Sequence, residues 1–243
     1  MTQVTDKLPR YFALLPAAGV GARMAADGPK QYLTVGGKPM IRHAVEAFQN
    51  CDLIAHTFVV VSETDGQADS ALPPADGVTV LRCGGATRMD TVLNALRALR
   101  SAVNDNDWIL VHDAARPGLT PALIARLIVG VGDNPAGGLL ALPVVDTVKR
   151  GAPGGVEAAG GSVSAATVPR NGLWLAQTPQ MFPYRLLVRA LAAAADASVI
   201  TDDASAVEAL GLSPVLVAGH PRNFKVTLPA DIRIAEMYLA DPQ

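Results

Sequence analysis

The stretch from Leu14 to Leu33, LLPAAGVGARMAADGPKQYL, constrains this chain more than any other. An apolar run from Tyr11 to Leu15 reads as a buried strand, which breaks at Pro16 into Ala17-Ala18-Gly19-Val20-Gly21-Ala22-Arg23-Met24. Small residues and two glycines let the backbone approach a ligand, because no Cβ stands in the way. Successive N–H groups in such a turn form a nest for anions. Arg23 adds a planar cation whose fork suits phosphate, and Lys30, after Gly28-Pro29, adds a movable point charge. The stretch therefore offers a phosphate cradle with two cations. The blander reading is a strand-to-loop turn with a surface arginine and lysine.

Two familiar phosphate fingerprints fail here. G-x-G-x-x-G needs a glycine where Met24 stands, and an acid about 20 positions further on, whereas Glu63 lies much too far away. G-x-x-x-x-G-K-[ST] fails because Gly37-Lys38 is followed by Pro39 and residue 32 is Tyr.

The rest of the chain supplies a scaffold for such a loop. Strands are predicted at 57–61, 78–82, 108–112, 139–143, 214–217 and 224–226. Helices are predicted at 40–48, 89–103, 121–131, 184–195, 203–210 and 229–239. The alternation implies a mostly parallel sheet with helices on both faces. Ligands of such sheets sit at the carboxyl ends of the strands. Three of those ends carry glycine or charge: Ala17–Met24, Cys83–Arg88 and Asp113–Arg116. Residues 144–177 break the alternation with a glycine-rich centre flanked by Val144–Lys149 and Ser164–Val168, and read as a projecting β-hairpin arm inserted in one domain spanning 1–243.

Composition excludes several function classes. With 243 residues, 50% hydrophobic, the chain can bury one large α/β core. A net charge of −2 argues against nucleic-acid or membrane-surface partners. The polar segment Met1–Arg10 lacks the apolar core of a signal peptide, and no apolar run approaches the length of a membrane span, so a cytoplasmic location is expected. Cys51 and Cys83 make neither a disulfide framework nor a zinc site.

The strand, glycine loop, arginine and Pro29-Lys30 resemble the sugar-activating nucleotidyltransferases. Six further stretches occur in order: Gly84-Gly85-Ala86-Thr87-Arg88-Met89-Asp90-Thr91-Val92, Val111-His112-Asp113-Ala114-Ala115-Arg116-Pro117, Val168-Pro169-Arg170-Asn171-Gly172-Leu173-Trp174, Gln177-Thr178-Pro179-Gln180, Ile200-Thr201-Asp202-Asp203-Ala204-Ser205 and Phe224-Lys225-Val226-Thr227. With them the chain is similar, over residues 11–240, to the 2-C-methyl-D-erythritol 4-phosphate cytidylyltransferase family. It departs from that pattern at Thr87, where an acid is usual, and at Thr91, where serine is usual.

The resemblance implies a Rossmann-like fold, a CTP-dependent transfer to a polyol phosphate, Mg²⁺ as cofactor, and a homodimer sharing its acceptor site between subunits. It implies that Arg23, Lys30, Arg170 and Lys225 are the catalytic cations, and that Ala17, Ala18, Gly19, Gly21, Gly85, Arg88 and Thr91 bind the nucleotide. Asp113, Arg116, Thr147 and Thr201 are the implied substrate contacts. No metal cage is expected: Mg²⁺ would be held mainly by phosphates, with Asp113 the candidate protein ligand. Two rivals remain at this point. One is a cytidylyltransferase for another polyol phosphate such as ribitol 5-phosphate. The other is a non-catalytic nucleotide-binding assembly protein, against which the presence of Arg23, Lys30 and Lys225 counts.

Overall fold

The first strand shows how the core is organised. In β1 (Tyr11–Pro16) alternate residues go to opposite faces of the sheet. Ala13 and Leu15 join one apolar cluster, and Phe12 and Leu14 join another. Both faces are therefore buried, as a near-continuous apolar run requires of a parallel strand covered on each side. The computed structural model describes residues 8–19, 28–152, 162–194 and 200–240.

After β1 come β2 (Thr34–Val35), β3 (Lys38–Pro39), α1 (Met40–Gln49), β4 (Ile54–Val61), α2 (Ala68–Ala71), β5 (Val78–Arg82) and α3 (Arg88–Ala98). The chain continues through β6 (Trp108–Val111), α4 (Pro121–Val131), β7 (Gly138–Pro143), β8 (Val148–Gly151), β9 (Ser164–Val168) and β10 (Trp174–Pro183). It closes with α5 (Tyr184–Ala193), α6 (Asp203–Glu208), β11 (Val215–Ala218) and α7 (Pro229–Ala240). The main sheet has the order β11-β7-β10-β6-β1-β4-β5. β10 runs antiparallel to β6 and β7, whereas β1, β4, β5 and β6 pair in parallel, as do β7 and β11. Helices α1 and α4 pack on one face, and α3 and α5 on the other.

The α/β class, with a mostly parallel sheet wrapped on both faces, is as the alternation implies. Three local expectations are corrected. Residues 224–226 form no strand: Val226 N–H makes a single bond to Ala115 O, and the chain there passes as an extended loop after a 3-10 turn, Pro221–Asn223. Residues 174–177 belong to β10 of the main sheet rather than to the arm. The paired strands of the arm are β8 and β9, so its first strand starts at Val148, later than the expected 144. β10 escaped the sequence reading because Pro179 has no N–H to give to a ladder. The register with β7 slips between Ala176 and Gln180, a bulge built around that proline.

The reversed direction of β10 matters for function. Gln180 lies opposite Val111, the last residue of β6. The middle of β10 therefore reaches the same crevice as the carboxyl ends of β1, β5 and β6.

Candidate active site

Three loops meet at that crevice because each is pinned to the sheet. Ala17 N–H donates to Val60 O at 2.7 Å, and Gly84 N–H to Val61 O at 2.9 Å. A Cβ on Gly84 would lie 2.4 Å from the Ala18 Cβ, so the first and second glycine loops touch and only glycine fits between them. The second loop then turns into α3. Thr87 and Asp90 form a reciprocal capping box at its start, and Thr91 Oγ1 donates to Thr87 O while accepting from Gly85 N–H at 3.0 Å.

A cavity of about 400 Å³ lies between these loops. Ala17, Ala18, Gly19, Gly85, Arg88, Thr91 and Asp113 line it, together with Lys30 and Lys225. Lys30 opens a 3-10 turn, Lys30–Tyr32, and its Nζ donates to Val226 O at 3.2 Å. The next residue, Gln31, is buried and donates to Ala17 O at 2.7 Å, which ties this turn to the first loop. A second cavity of about 260 Å³ adjoins the first, lined by Arg116, Gln177, Thr178, Gln180, Thr201 and Asp202. Arg88, Asp113 and Lys225 line both and form the wall they share.

That wall is an ionic cluster centred on Asp113. Asp113 Oδ1 accepts from Arg88 Nε at 3.1 Å, and its Oδ2 lies 2.8 Å from Lys225 Nζ and 3.6 Å from Arg116 Nε. Arg88 also reaches Asp203 Oδ2 at 2.9 Å. Burial alone would push the Asp113 carboxyl up. The charges of Arg88, Lys225 and Arg116 outweigh it and hold the group well below the usual carboxylate range. Asp113 is thus a fixed anion that lets three cations share a small space.

The backbone of Asp113 is held just as firmly. Its N–H donates to Thr178 Oγ1 at 3.0 Å, and that hydroxyl in turn meets His112 Nδ1 at 3.0 Å. His112 Nε2 faces Arg116 O at 3.4 Å. These contacts are satisfied together when the Thr178 hydroxyl donates to Nδ1 and the ring carries its proton on Nε2. Burial depresses the His112 pKa to about 3, so the ring is neutral and its tautomer fixed.

The structure brings Ala17, Ala18, Gly19, Lys30, Gly85, Arg88, Thr91, Asp113, Arg116, Thr201 and Lys225 to the two cavities. Gly21 and Arg23 lie outside the described residues. Thr147 and Arg170 sit on the arm, both exposed, and line neither cavity within one chain; Arg170 donates to Val145 O. Sequence reasoning missed Gln31, Gln177, Gln180 and Asp203. Gln177 and Gln180 stand in a stretch already quoted, but their roles appear only when β10 is placed in the sheet, and that of Gln31 only when its bond to Ala17 O is seen. Asp203 stands beside Thr201 in a stretch already singled out, but its burial against Arg88 depends on packing between α3 and α6.

A mostly parallel sheet with cation-lined glycine loops at its strand ends defines a nucleotidyltransferase, an enzyme class that handles a nucleoside triphosphate. The family model for 2-C-methyl-D-erythritol 4-phosphate cytidylyltransferase (IspD) matches residues 11–241. The chain belongs to this family. It is 51% identical over 241 residues to the protein of that name from Ralstonia nicotianae, covering 95% of this chain and 92% of that one. The Nitrosospira multiformis protein of the same name is 48% identical over 236 residues, with 96% and 98% covered. Among solved structures, 4-diphosphocytidyl-2C-methyl-D-erythritol synthase superposes with a TM-score of 0.82 at 42% identity, covering 95% of this chain and 98% of that one. The Thermus thermophilus cytidylyltransferase gives 0.72 at 33% identity, with 94% and 98% covered.

Proposed function

We propose that this chain transfers the cytidylyl group of CTP to 2-C-methyl-D-erythritol 4-phosphate, in the non-mevalonate route to isoprenoid precursors. The products are 4-diphosphocytidyl-2-C-methyl-D-erythritol and pyrophosphate. The observation that carries the reading is the pair of adjoining cavities with Lys225, Arg88 and Asp113 in their common wall. Two phosphorylated ligands placed on either side would meet at that wall.

An oxygen of the acceptor phosphate attacks the α-phosphorus. The new oxygen–phosphorus bond forms as the bond to the bridging oxygen breaks, and that electron pair leaves with pyrophosphate. A phosphate monoester is already ionised near neutral pH, so no general base is needed. The barrier is the approach of two anions and the charge growing on the leaving group, and positioned cations lower it. Lys30 serves the triphosphate from the first cavity, and Lys225 steers the acceptor phosphate from the wall. By family pattern Arg23 would act with Lys30 on the developing charge.

Backbone amides of Ala17–Gly19 and Gly85 frame a cavity whose modest size suits a pyrimidine. Thr91 contributes by fixing the Gly85 amide, since its hydroxyl is already engaged. Asp113, Arg116 and Thr201 face the acceptor side.

Mg²⁺ is the expected cofactor, supplying charge neutralisation on the triphosphate. Among the described residues no cluster of three or more His, Cys, Asp or Glu side chains could hold an ion. Asp113 is the one acid lining the first cavity among those residues, and both its oxygens face cations. Asp113 would be the protein ligand of an ion held mainly by phosphate oxygens.

The arm supports a symmetric dimer that brings Arg170 and Thr147 to a neighbour's acceptor cavity. Among the described residues no helix is long and apolar enough to cross a membrane. Pyrophosphate release from CTP, with methylerythritol phosphate or ribitol 5-phosphate, with and without Mg²⁺, tests the reaction, acceptor and cofactor together. Release that needs both methylerythritol phosphate and Mg²⁺ is expected; equal turnover of the two polyols would overturn the acceptor assignment.

A further inference from the structure

One buried acid next to the proposed site has no part in the chemistry above. Asp203 is 1% exposed, in the first turn of α6, and lines neither cavity. Its Oδ2 accepts from Arg88 at 2.9 Å, while its Oδ1 is buried with no hydrogen-bond partner among the described residues. A buried ion pair is weak evidence for stability, because desolvation offsets the attraction. The arrangement points instead to geometry.

Arg88 divides its guanidinium between two acids, with Nε on Asp113 Oδ1 and a terminal nitrogen on Asp203. An arginine beside a single carboxylate tends to grip both oxygens with its fork. Here the second oxygen of Asp113 faces Lys225 Nζ at 2.8 Å, with Arg116 Nε further off at 3.6 Å. The element carrying Asp203 is itself fixed. Buried Gln180 on β10 donates to Asp202 Oδ2 at 2.7 Å and accepts from Ala204 N–H at 2.8 Å, gripping the start of α6 on both sides of Asp203.

We infer that Asp203 is a positioning residue for the acceptor side of the transfer: it holds Arg88 to one contact with Asp113 and so reserves the other oxygen for Lys225. This rests on the reading of Lys225 as the residue that steers the acceptor phosphate. Asp203 acts through Arg88 and Asp113 and touches no substrate.

The test uses the full chain with Asp203→Leu, which keeps the branched shape and removes the acceptor, and Asp203→Asn, which keeps a neutral acceptor oxygen. Asp203→Leu is expected to raise the KM for methylerythritol phosphate about ten-fold or more, with the KM for CTP within about two-fold, and Asp203→Asn to do less. In a Lys225→Ala background the Leu substitution should add less than about two-fold, since no ammonium remains to direct. An equal rise in both KM values, or the same added loss in that background, would overturn the proposal. So would failure of both variants to fold, which would make Asp203 part of the scaffold alone. A crystal structure of whichever variant folds gives a readout independent of turnover. With Asp203→Leu, Arg88 should fork onto both Asp113 oxygens and displace Lys225; if only Asp203→Asn folds, Arg88 should shift part-way toward the second Asp113 oxygen and lengthen the Lys225–Asp113 contact. An unchanged cluster overturns the role. If the parent turns over no CTP, the proposed reaction fails, and the crystal structure still judges whether Asp203 holds Lys225 in place.

Discussion

Lys30 and Lys225 reach one cavity from opposite ends of the chain, and the two carry different expectations. In the proposed transfer Lys30 would face the triphosphate, where charge develops as pyrophosphate leaves. Lys30→Ala is expected to lower kcat by about 10²–10³ while changing the KM for CTP only a few-fold. Turnover within a few-fold of the parent would remove Lys30 from the chemistry. Lys225→Ala should act on the acceptor, raising its KM, and steady-state kinetics with each substrate varied would show this; an effect confined to CTP would contradict it. His112 provides a third expectation, in stability. Its pKa falls from an ordinary 6.5 to about 3 in the folded chain through burial, so the unfolded chain binds a proton more readily. The stability it contributes is complete above pH 6.5 and is lost as pH falls from there toward 3. His43 and His56, whose values burial also lowers, push in the same direction. The melting temperature should therefore fall with acid between pH 6.5 and 4 in the parent, and less steeply in His112→Asn. Equal slopes would show that His112 is not held neutral.

At the scale of elements, the second glycine loop and the start of α3 act as one unit. A Cβ on Gly85 would sit 2.4 Å from the Asp90 Cβ and 3.0 Å from Thr91 N, inside the first turn of the helix. Gly85→Ala must therefore move the loop off α3 and stretch the bond from Gly85 N–H to Thr91 Oγ1. The expected cost is about 1–3 kcal/mol of stability, with a raised KM for CTP and little change for the acceptor. Denaturant unfolding and kinetics would check both, and an unperturbed CTP term would show that this loop does not frame the nucleotide. The elements also show what a sequence can reveal. Strands β1, β4 and β6 and helix α4 were legible because burial on both faces leaves an apolar run and helices leave a 3.6-residue period. The three loops at the strand ends were legible from their glycines and charges, and they placed Asp113 and Arg88 near one another. β10 was not legible: its sequence, WLAQTPQMFP, carries two prolines and three polar residues, Gln177, Thr178 and Gln180, in one strand. Those residues are buried because they serve the crevice, through Thr178 on Asp113 and Gln180 on α6. The partners of Asp113 and the burial of Asp203 depend on that strand's direction, which no local pattern encodes.

For the whole molecule, the question is what completes the acceptor cavity. Within one chain it is walled by Arg116, Thr178, Thr201 and Lys225 and remains open on one side, while Thr147 and Arg170 stand exposed on the arm. Strands β8 and β9 form an isolated two-stranded sheet, which is marginal in water without a covering surface. Along the arm and its base Val145, Val163 and Leu175 are 71%, 70% and 59% exposed, and Leu173 and Trp174 are also exposed. Val144 and Val168 are already half-buried by the arm's own packing. Exposed apolar residues gathered on one projection are a poor surface for a monomer and a good one for a second copy, paired about a two-fold axis. Such pairing would carry each Arg170 toward the neighbour's acceptor cavity, where a guanidinium fork suits a phosphate. The chain is therefore expected to be a homodimer with two shared sites. Trp174→Glu, which puts charge on the exposed base of the arm, should shift the mass in solution toward the monomer and lower activity with it. Mixing the impaired Arg170→Ala and Lys225→Ala chains, at an acceptor concentration where each alone turns over poorly, should restore activity. In each mixed dimer one site then receives both intact cations, giving up to about half of the parent turnover per dimer. Proven subunit exchange with no recovery would mean that Arg170 serves its own chain, and the shared-site arrangement would be abandoned.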